Sequence, residues 1–324
     1  MTNLERFTPN TVATIEEPLD DSTRALLEGS ISPSTRRAYM DDLRSIEEWT
    51  RSRGVALFPA HPSTVANYVG AMRDRYAPAT IERRVATWSV LHEANEVENP
   101  CRSRLVRQTL KGLRREAPRQ RVAQPLLMDD LLVILDEIPT DSLAGLRDRA
   151  LLLVGFTLGR RRSELAALDV EDLQRIDQPR RGYSVTIQRS KTDQEGEGQV
   201  CWLPRSGRTT CPATNLERWL EAANITSGAL FRAVTKFETV GERLSDRSVS
   251  TIITRRAEEA GLPPGQWTGH SLRSGFATEQ ARRGKSTRSI ARQGGWSPTS
   301  PVIHRYVRVA NPWDDNAVGE GDWL

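Results

Sequence analysis

Two segments in the second half of the chain combine residue types that are suited to phosphate chemistry. Residues 159–165 read GRRRSEL and join an apolar helical run to the start of another helix. Residues 269–275 read GHSLRSG and begin a helix on which His270 and Arg273 share one face, because they are three residues apart. Arginine presents a planar fork of N–H donors that fits phosphate oxygens, so both segments are candidates for binding a phosphodiester.

The sequence shows none of the common motifs for a catalytic metal ion or a phosphate-binding loop. Its four histidines form no His-Glu-x-x-His and its three cysteines form no Cys-x-x-Cys pair. A Walker-type glycine loop and a Gly-x-Ser-x-Gly elbow are also absent. We therefore expect no metal and no other cofactor, and cleavage of a phosphodiester would depend on the protein's own cations.

In their order along the chain, these segments resemble the two arginine boxes of the tyrosine recombinase (phage integrase) family. The family's first box, Gly-x-Arg-x-Ser-Glu-Leu, matches this sequence at Arg161, and its second box, His-x-x-Arg, matches at His270 and Arg273. Arg160 and Arg162 flank the first match, and the spacing to the following Ser-Glu-Leu favours Arg161 as the family's arginine.

The family also has a lysine on a β-hairpin between the boxes, and a His or Trp and then a tyrosine nucleophile after them. Lys191 follows the first of two strand-like segments, and Trp296 and Tyr306 follow the second box. The Gly-Gly-Trp form at residues 294–296 is most similar to the Cre-like branch. Trp296 and Tyr306 are ten residues apart where the family usually shows nine, and we place the extra residue in the loop at 298–301.

The resemblance implies a fold and an activity. The implied fold is mostly α with a small antiparallel β-sheet, in which a helical N-terminal core-binding (SAM-like) domain and a mixed α/β catalytic domain would form a C-shaped clamp on DNA. The implied activity is site-specific recombination, in which duplex DNA would be cut and rejoined through a 3′-phosphotyrosyl intermediate without metal or ATP. The implied partners are duplex DNA with a specific target site and further copies of the chain, a dimer on each site and a tetramer at synapsis.

The matched residues have distinct expected roles at the phosphate. Arg161 and Arg273 would hold the non-bridging oxygens, and the indole N–H of Trp296 adds one donor. Tyr306 would be the nucleophile. A phenol with a pKa of about 10 is ionised to only about one part in a thousand at pH 7, so Tyr306 needs help to lose its proton.

Proton transfer is assigned to two further residues. His270 fits the base that takes the phenol proton, and Lys191 fits the acid that protonates the departing 5′-oxygen. Glu164 would orient Arg161 or His270 by contacting its side chain, and would not itself react with the DNA.

Other interpretations stay open at this stage. Tyr306 alone could be a surface residue of a terminal helix, Lys191 a solvated hairpin lysine and Trp296 a core residue. The same chemistry could belong to a type IB-like topoisomerase that nicks and reseals one duplex. The chain could also be a non-catalytic DNA-binding protein of the same fold, or a metal-dependent nuclease.

The elements that must position these residues follow from apolar periodicity and from Pro and Gly. Four amphipathic helices are predicted before residue 116, starting near residues 32, 62, 78 and 103, with their Tyr and Trp side chains in the core. The later part should contain helical runs and a strand pair joined by a glycine-containing turn. The predicted helices are 126–138, 146–158, 212–224, 245–260, 270–282 and 287–293, and the strands are 183–189 and 199–203.

Length and composition favour more than one domain, since 324 residues exceed what a single core usually organises. We expect a flexible arm at 1–30, a helical core-binding DNA-binding domain at 31–115, a basic linker at 116–124, a catalytic domain at 125–309 and an acidic tail at 310–324.

Basic residues are candidates for contacts with the DNA backbone. The chain carries a net charge of +4, and 42 of its 46 basic residues are arginine, a bias that genomic base composition could also produce. Residues 102–121 hold eight basic residues and one acidic residue, which suits a phosphate surface. The DNA-binding candidates are Arg102, Arg104, Arg107, Lys111, Arg114, Arg115, Arg119, Arg121, Arg160 and Arg162.

The remaining sequence features bear on location and assembly. No apolar run is long enough to span a bilayer, and three cysteines in a long chain argue against a disulfide framework. We therefore expect a soluble cytoplasmic protein associated with the nucleoid. The tail at 310–324 combines four acidic residues with Trp313, Trp323 and Leu324, and it is a candidate for docking on a neighbouring subunit.

Overall fold

A computed structural model of the protein describes residues 32–117, 123–178, 181–188, 198–297 and 299–310. The chain divides into two units, residues 1–120 and 121–324. The predicted arm at 1–30 and nearly all of the tail, 311–324, lie outside the described residues, as does the middle of the predicted linker, 118–122.

Proline begins three of the helices in the described part of the first unit, as the sequence predicts, because its fixed φ and missing N–H suit the first turn. Ser103 begins the fourth, and its Oγ accepts a hydrogen bond from the backbone N–H of Val106 at 3.3 Å. The helices are α1 (Pro33–Ser52), α2 (Pro62–Met72), α3 (Pro78–Ala94) and α4 (Arg104–Glu116), with a 3₁₀ turn at Pro100–Arg102.

The core of this unit is built around aromatic side chains. Tyr68 and Trp88 are completely buried and meet edge to face, with ring centroids 5.7 Å apart. Trp49 also meets Tyr68 edge to face, with ring centroids 5.3 Å apart. The Trp88 indole also donates a hydrogen bond to the backbone carbonyl of Leu57. The prediction that these rings form a core, rather than a surface for stacking bases, is confirmed for these three residues.

The second unit is mostly helical with small antiparallel sheets, as predicted. All three cysteines of the chain, Cys101 in the first unit and Cys201 and Cys211 in the second, are described, and each is a buried free thiol. The helices are α5 (Met128–Glu137), α6 (Leu143–Leu158), α7 (Arg162–Ala167), α8 (Pro212–Ala222), α9 (Asp246–Glu259), α10 (Gly269–Arg282), α11 (Thr287–Gly294) and α12 (Pro301–Ala310), and the strands are β1 (Leu173–Ile176), β2 (Gly182–Ile187), β3 (Gln199–Pro204), β4 (Arg232–Val234) and β5 (Val240–Arg243).

The predicted strand pair is confirmed as β2 and β3, which run antiparallel with Ile187 opposite Gln199. Strand β1 pairs with the other edge of β2, so that the sheet order is β1-β2-β3. Strands β4 and β5 form a separate ribbon. The sequence analysis missed β1, β4 and β5, because strands of three or four residues are too short to show an alternating pattern.

Helix α6 lies at the centre of the second unit. Its residues from 150 to 156 are buried without a polar face, which is typical of a helix enclosed on all sides. The helix starts three residues before its predicted start, at a cap where Ser142 Oγ accepts from the backbone N–H of Gly145. It ends at Leu158 and is capped by Gly159, which is the first residue of the first arginine box. In the described part of the chain, no helix is both long and apolar enough to cross a membrane.

Candidate active site

The first arginine box begins α7, and its arginine is held by an acid one turn later. Arg161 is the residue before the helix, and its backbone N–H donates to Glu164 Oε2 at 3.2 Å. Its Nη1 donates to Glu164 Oε1 at 2.5 Å. Glu164 is buried and the Arg161 side chain is about one quarter exposed. The carboxylate therefore fixes the guanidinium at the surface, and of the two residues that Glu164 was expected to orient, it contacts Arg161.

Arg273 is buried in the first turns of α10 and is anchored by backbone carbonyls. Its Nη1 donates to the Gly159 oxygen at 2.7 Å and also to the Gly294 oxygen, while Nη2 makes a longer contact of 3.5 Å with the Gly295 oxygen. Burial and the charge of Arg161 lower the pKa of Arg273 to about 9, which still leaves it protonated at neutral pH. The side chain joins the end of α6 to the end of α11.

His270 and Tyr306 form a direct hydrogen bond between α10 and α12. His270 Nε2 lies 2.6 Å from Tyr306 Oη. Partial desolvation of the ring, assisted by the charges of Arg273 and Arg161, lowers the pKa of His270, so the ring is neutral at neutral pH. Burial raises the pKa of Tyr306, against an opposing effect of Arg273 and Arg305. A neutral imidazole with its proton on Nδ1 can accept the phenol proton at this distance.

Trp296 completes this cluster through a turn that requires glycine. Its ring lies 3.6 Å from the guanidinium carbon of Arg273 and 6.0 Å, centroid to centroid, from the ring of Tyr306. A Cβ on Gly294 would come within 2.1 Å of the Trp296 ring, and Gly295 has φ of +70°. The Gly-Gly-Trp motif therefore allows the indole to fold back onto the end of α11.

Other predicted site residues lie apart from this cluster or outside the description. Lys191 lies in the segment 189–197, which is outside the described residues. Residue 298, in the loop where the extra residue was expected, is also outside them. Arg162 is exposed and contacts α9, with Nε 3.1 Å from Asp246 Oδ2. Arg160 is only 2% exposed, so its predicted role as a surface contact with DNA does not fit its position.

Helix α4 carries the predicted basic surface of the first unit. Arg104, Arg107, Lys111 and Arg115 are exposed, follow each other at spacings of three and four along one face, and make no ion pair with another described residue. The opposite face buries Val106 and Leu113.

The other candidates on and beside α4 differ in their surroundings. Arg102 pairs with Glu93 at 2.7 Å and Arg114 with Glu82 at 2.6 Å. Arg119 and Arg121 lie outside the described residues.

Several contacts around the site involve residues that the sequence analysis did not single out. Gln293 Nε2 donates to the backbone oxygens of Trp202 and Thr157, and Gln293 Oε1 accepts from the Trp202 N–H, so that its amide covers the edge of β3. Gln199 accepts a hydrogen bond from Arg160. No sequence signal identifies these glutamines, because each is defined by a partner at least 39 residues away.

No metal site accompanies the cluster: within the described ranges, no group of three His, Cys, Asp or Glu side chains lies close enough to hold an ion. The same unit has a groove of about 670 Å³ between the sheet and α10 and α11. Its lining includes Tyr183, Trp202, Phe276, Arg181, Arg283 and Lys285.

Comparison with protein families covers most of the chain. A family model described as the phage integrase family matches residues 125–312. A second, described as the phage integrase N-terminal SAM-like domain, matches residues 23–98. These ranges account for nearly all of the second unit and for most of the first.

Individual proteins are similar over nearly the whole length. The integrase/recombinase xerD homolog of Selenomonas ruminantium is 34% identical over 308 residues, which cover 93% of this chain and 89% of that protein. The recombinase cre of Escherichia phage P1 is 26% identical over 302 residues, covering 86% of this chain and 85% of that protein. A solved structure of a lambda integrase tetramer bound to a Holliday junction matches the fold with a TM-score of 0.60 at 18% identity, over 89% of this chain and 75% of that chain.

Proposed function

The chain belongs to the phage integrase family of tyrosine recombinases, enzymes that cut and rejoin DNA at specific sites, and we propose that Tyr306 is its nucleophile. The observation that carries this proposal is the 2.6 Å contact between Tyr306 Oη and His270 Nε2, beside Arg273 and Trp296. Burial keeps the phenol protonated until it reacts, so a neutral base within hydrogen-bonding distance is what the nucleophile needs.

In the proposed cleavage step, Tyr306 Oη attacks the scissile phosphorus as His270 takes its proton. The new O–P bond forms while the bond to the 5′-oxygen breaks, leaving DNA joined to the protein through a 3′-phosphotyrosyl link. Lys191 gives the departing 5′-oxygen a proton. Reversal of these transfers, with the 5′-hydroxyl of another strand as nucleophile, rejoins the DNA, and the covalent link conserves the energy of the phosphodiester bond.

The developing charge on the non-bridging oxygens would be met by donors that are already in place. Arg161 is held by Glu164, and Arg273 is held by backbone carbonyls, with Trp296 against its guanidinium. Such preorganised donors stabilise the transition state because they need not reorient when charge appears, and each contributes about 2.7–4 kcal/mol.

We propose that the exposed face of α4 follows the phosphate backbone of duplex DNA. The four exposed basic residues described above lie along about three helical turns and face away from the core of their unit. Contacts of this kind position the protein without reading the sequence.

Assembly is proposed to use the acidic tail, with a dimer on each site and a tetramer at synapsis. The groove beside α10 and α11 joins aromatic side chains to the basic residues Arg181, Arg283 and Lys285. Residues 311–324 carry four acidic residues, no basic residue and two tryptophans. The tail of one copy therefore complements the groove of another in both charge and apolar character.

The nucleophile is tested with duplex DNA that carries a nick near the cleavage point, which traps the covalent product on a denaturing gel. Tyr306→Phe should bind this DNA as tightly as the wild type and form no protein-linked DNA. Protein-linked DNA from that variant would refute the assignment. Relaxation of supercoiled DNA without pairing of two sites would instead indicate a topoisomerase.

The tail is tested by sedimentation of the protein on DNA that carries two sites. Deletion of residues 311–324 should weaken tetramer formation and keep single-site binding, and Trp202→Ala should have the same effect. Phe237→Ala provides the control, because Phe237 is 78% exposed and does not line the groove. Normal tetramers from the deleted protein would contradict the proposal.

A further inference from the structure

Arg160 is a buried arginine that touches two separate parts of the site. Its Nη1 donates to Gln199 Oε1 at 2.9 Å. The same nitrogen lies close to Gly295. A Cβ built on Gly295 would fall 2.2 Å from Arg160 Nη1 and 2.9 Å from Gln199 Oε1. Gly295 precedes Trp296, and Gln199 begins β3. One guanidinium therefore bridges the turn that carries the indole and the strand that ends the hairpin.

The surroundings of Arg160 do not explain an arginine there through stability. Its Nε and Nη2 are buried without an oxygen or nitrogen acceptor among the described residues, and the Cys201 sulfur, which Arg160 contacts, is only a weak acceptor. Glu164, the nearby carboxylate, is bound to Arg161. The Cys201 thiol lies beside Arg160, but burial raises its pKa more than the arginine lowers it, so it stays neutral. A buried cation with unpaired donors is destabilising, and an apolar side chain of similar length would pack without that loss.

The strand that Arg160 holds has a functional position in the sequence. Gln199 pairs with Ile187 at the open end of the described β2–β3 ladder. The segment between these two residues contains Lys191. Gln293 fixes β3 three residues further along, through its bonds to Trp202. Arg160 is thus a buried contact between the base of the lysine segment and the turn that bears Trp296.

We propose that Arg160 is a positioning residue that sets the hairpin β2–β3 against the Gly295 turn, so that the general acid meets the leaving oxygen of the phosphate held by the arginines. The proposal rests on the proposed function, in which Lys191 protonates the 5′-oxygen. It assigns Arg160 to the acid step, whereas Arg161 and Arg273 act on the non-bridging oxygens.

The test compares cleavage of normal DNA with cleavage of DNA that has sulfur in place of the scissile 5′-oxygen. With sulfur, the O–P bond to Tyr306 forms, the P–S bond breaks, and the thiolate leaves with the electron pair and needs no proton. Arg160→Met should cut normal DNA about 100-fold more slowly, the loss that a misplacement of about 1 Å brings. On the sulfur substrate it should regain most of the wild-type rate, as Lys191→Ala should.

Two further variants separate positioning from general damage to the fold. Gln199→Met removes the same hydrogen bond from the other side and should show the same recovery with sulfur, which keeps the test valid if Arg160→Met fails to fold. Arg147→Met is the matched control, because Arg147 is also buried in this unit but is paired with Asp148 at 2.6 Å. Arg147→Met should lower the melting temperature, and any loss of rate should be equal on both substrates. Arg160→Met should raise the melting temperature.

The outcomes distinguish an incorrect role for Arg160 from an incorrect role for Lys191. If Lys191→Ala recovers on the sulfur substrate and neither Arg160→Met nor Gln199→Met does, Arg160 does not position the acid, and the assignment of Lys191 stands. If Lys191→Ala itself fails to recover, the acid assignment is wrong and the role of Arg160 falls with it. A lower melting temperature for Arg160→Met, together with equal losses on both substrates, makes the residue merely structural and overturns the proposal.

Discussion

Gly294→Ala is expected to move Trp296 out of the site without unfolding the protein. A Cβ at residue 294 would lie 2.1 Å from Cζ3 and 2.6 Å from Cε3 of the Trp296 ring. Since carbon atoms in contact sit about 3.5 Å apart, the ring has to retreat by about 1.4 Å. A shift of that size disturbs the contact between the ring and Arg273, whose guanidinium carbon lies 3.6 Å from the ring.

The size of the effect follows from that displacement. Losing one aligned donor to the phosphate slows a reaction by about 10²–10³-fold, and a misplacement of about 1 Å has an effect of similar size. We therefore expect Gly294→Ala to form the covalent complex about 100-fold more slowly in a single turnover on nicked DNA. DNA binding should change little, because the substituted residue lies in the protein interior.

Gly70→Ala is the matched control for this experiment. Gly70 lies in α2, and a Cβ there meets nothing within 4 Å. The substitution should leave the cleavage rate unchanged and stabilise the protein by about 0.5–1 kcal/mol, because alanine favours a helix more than glycine does. A Gly294→Ala protein that cleaves at the wild-type rate would show that the Trp296 ring has no part in the reaction.

Three more results are expected. The cleavage rate at limiting DNA should fall on acidification only below pH 6.5, because His270 must be neutral to act as base and its pKa is lowered; a midpoint above 6.5 would contradict this. Glu164→Gln replaces a charge-assisted bond to Arg161 by a neutral one, a loss of about 1–1.5 kcal/mol, and single-turnover cleavage should slow about tenfold. Lys111→Gln should reduce the slope of log affinity against log salt by about 0.9. Lys236→Gln, which changes a lysine in the turn between β4 and β5 and not on α4, should leave the slope unchanged in the same titration.

Much of the fold follows from the sequence, because its signals are local. Proline at a first helical position predicted the starts of α2 and α3, and the turn glycines predicted the β2–β3 pair. The short strands β1, β4 and β5 lack such signals and are held by their neighbours. Strand β1, for example, is defined by its pairing with β2 rather than by its own four residues.

The site is predictable only in part, because contacts between residues far apart in the sequence leave no local signal. The order of the two boxes, the tryptophan and the tyrosine led to residues that the structure brings together, including His270 and Tyr306. What holds them is not visible in the sequence. Arg273 is fixed by the carbonyl of Gly159, 114 residues away, and a carbonyl carries no residue-type signal. The sequence analysis placed Arg160 at the surface together with Arg162. Only the packing of the folded chain shows that Arg160 is buried.

The surplus of positive charge at the site affects both the proposed binding of the phosphate and the proposed transfer of the Tyr306 proton. Arg160, Arg161 and Arg273 lie near the carboxylate of Glu164, so within the described residues this part of the site is cationic before DNA enters. After burial, the charges of Arg273 and Arg161 are what lower the pKa of His270, and Arg273 also opposes the rise in the pKa of Tyr306. The cations that are proposed to receive the phosphate thus also keep the proposed base, His270, unprotonated. A second carboxylate would compete with the phosphate for the guanidinium groups and would favour imidazolium, so both functions depend on leaving this charge unbalanced.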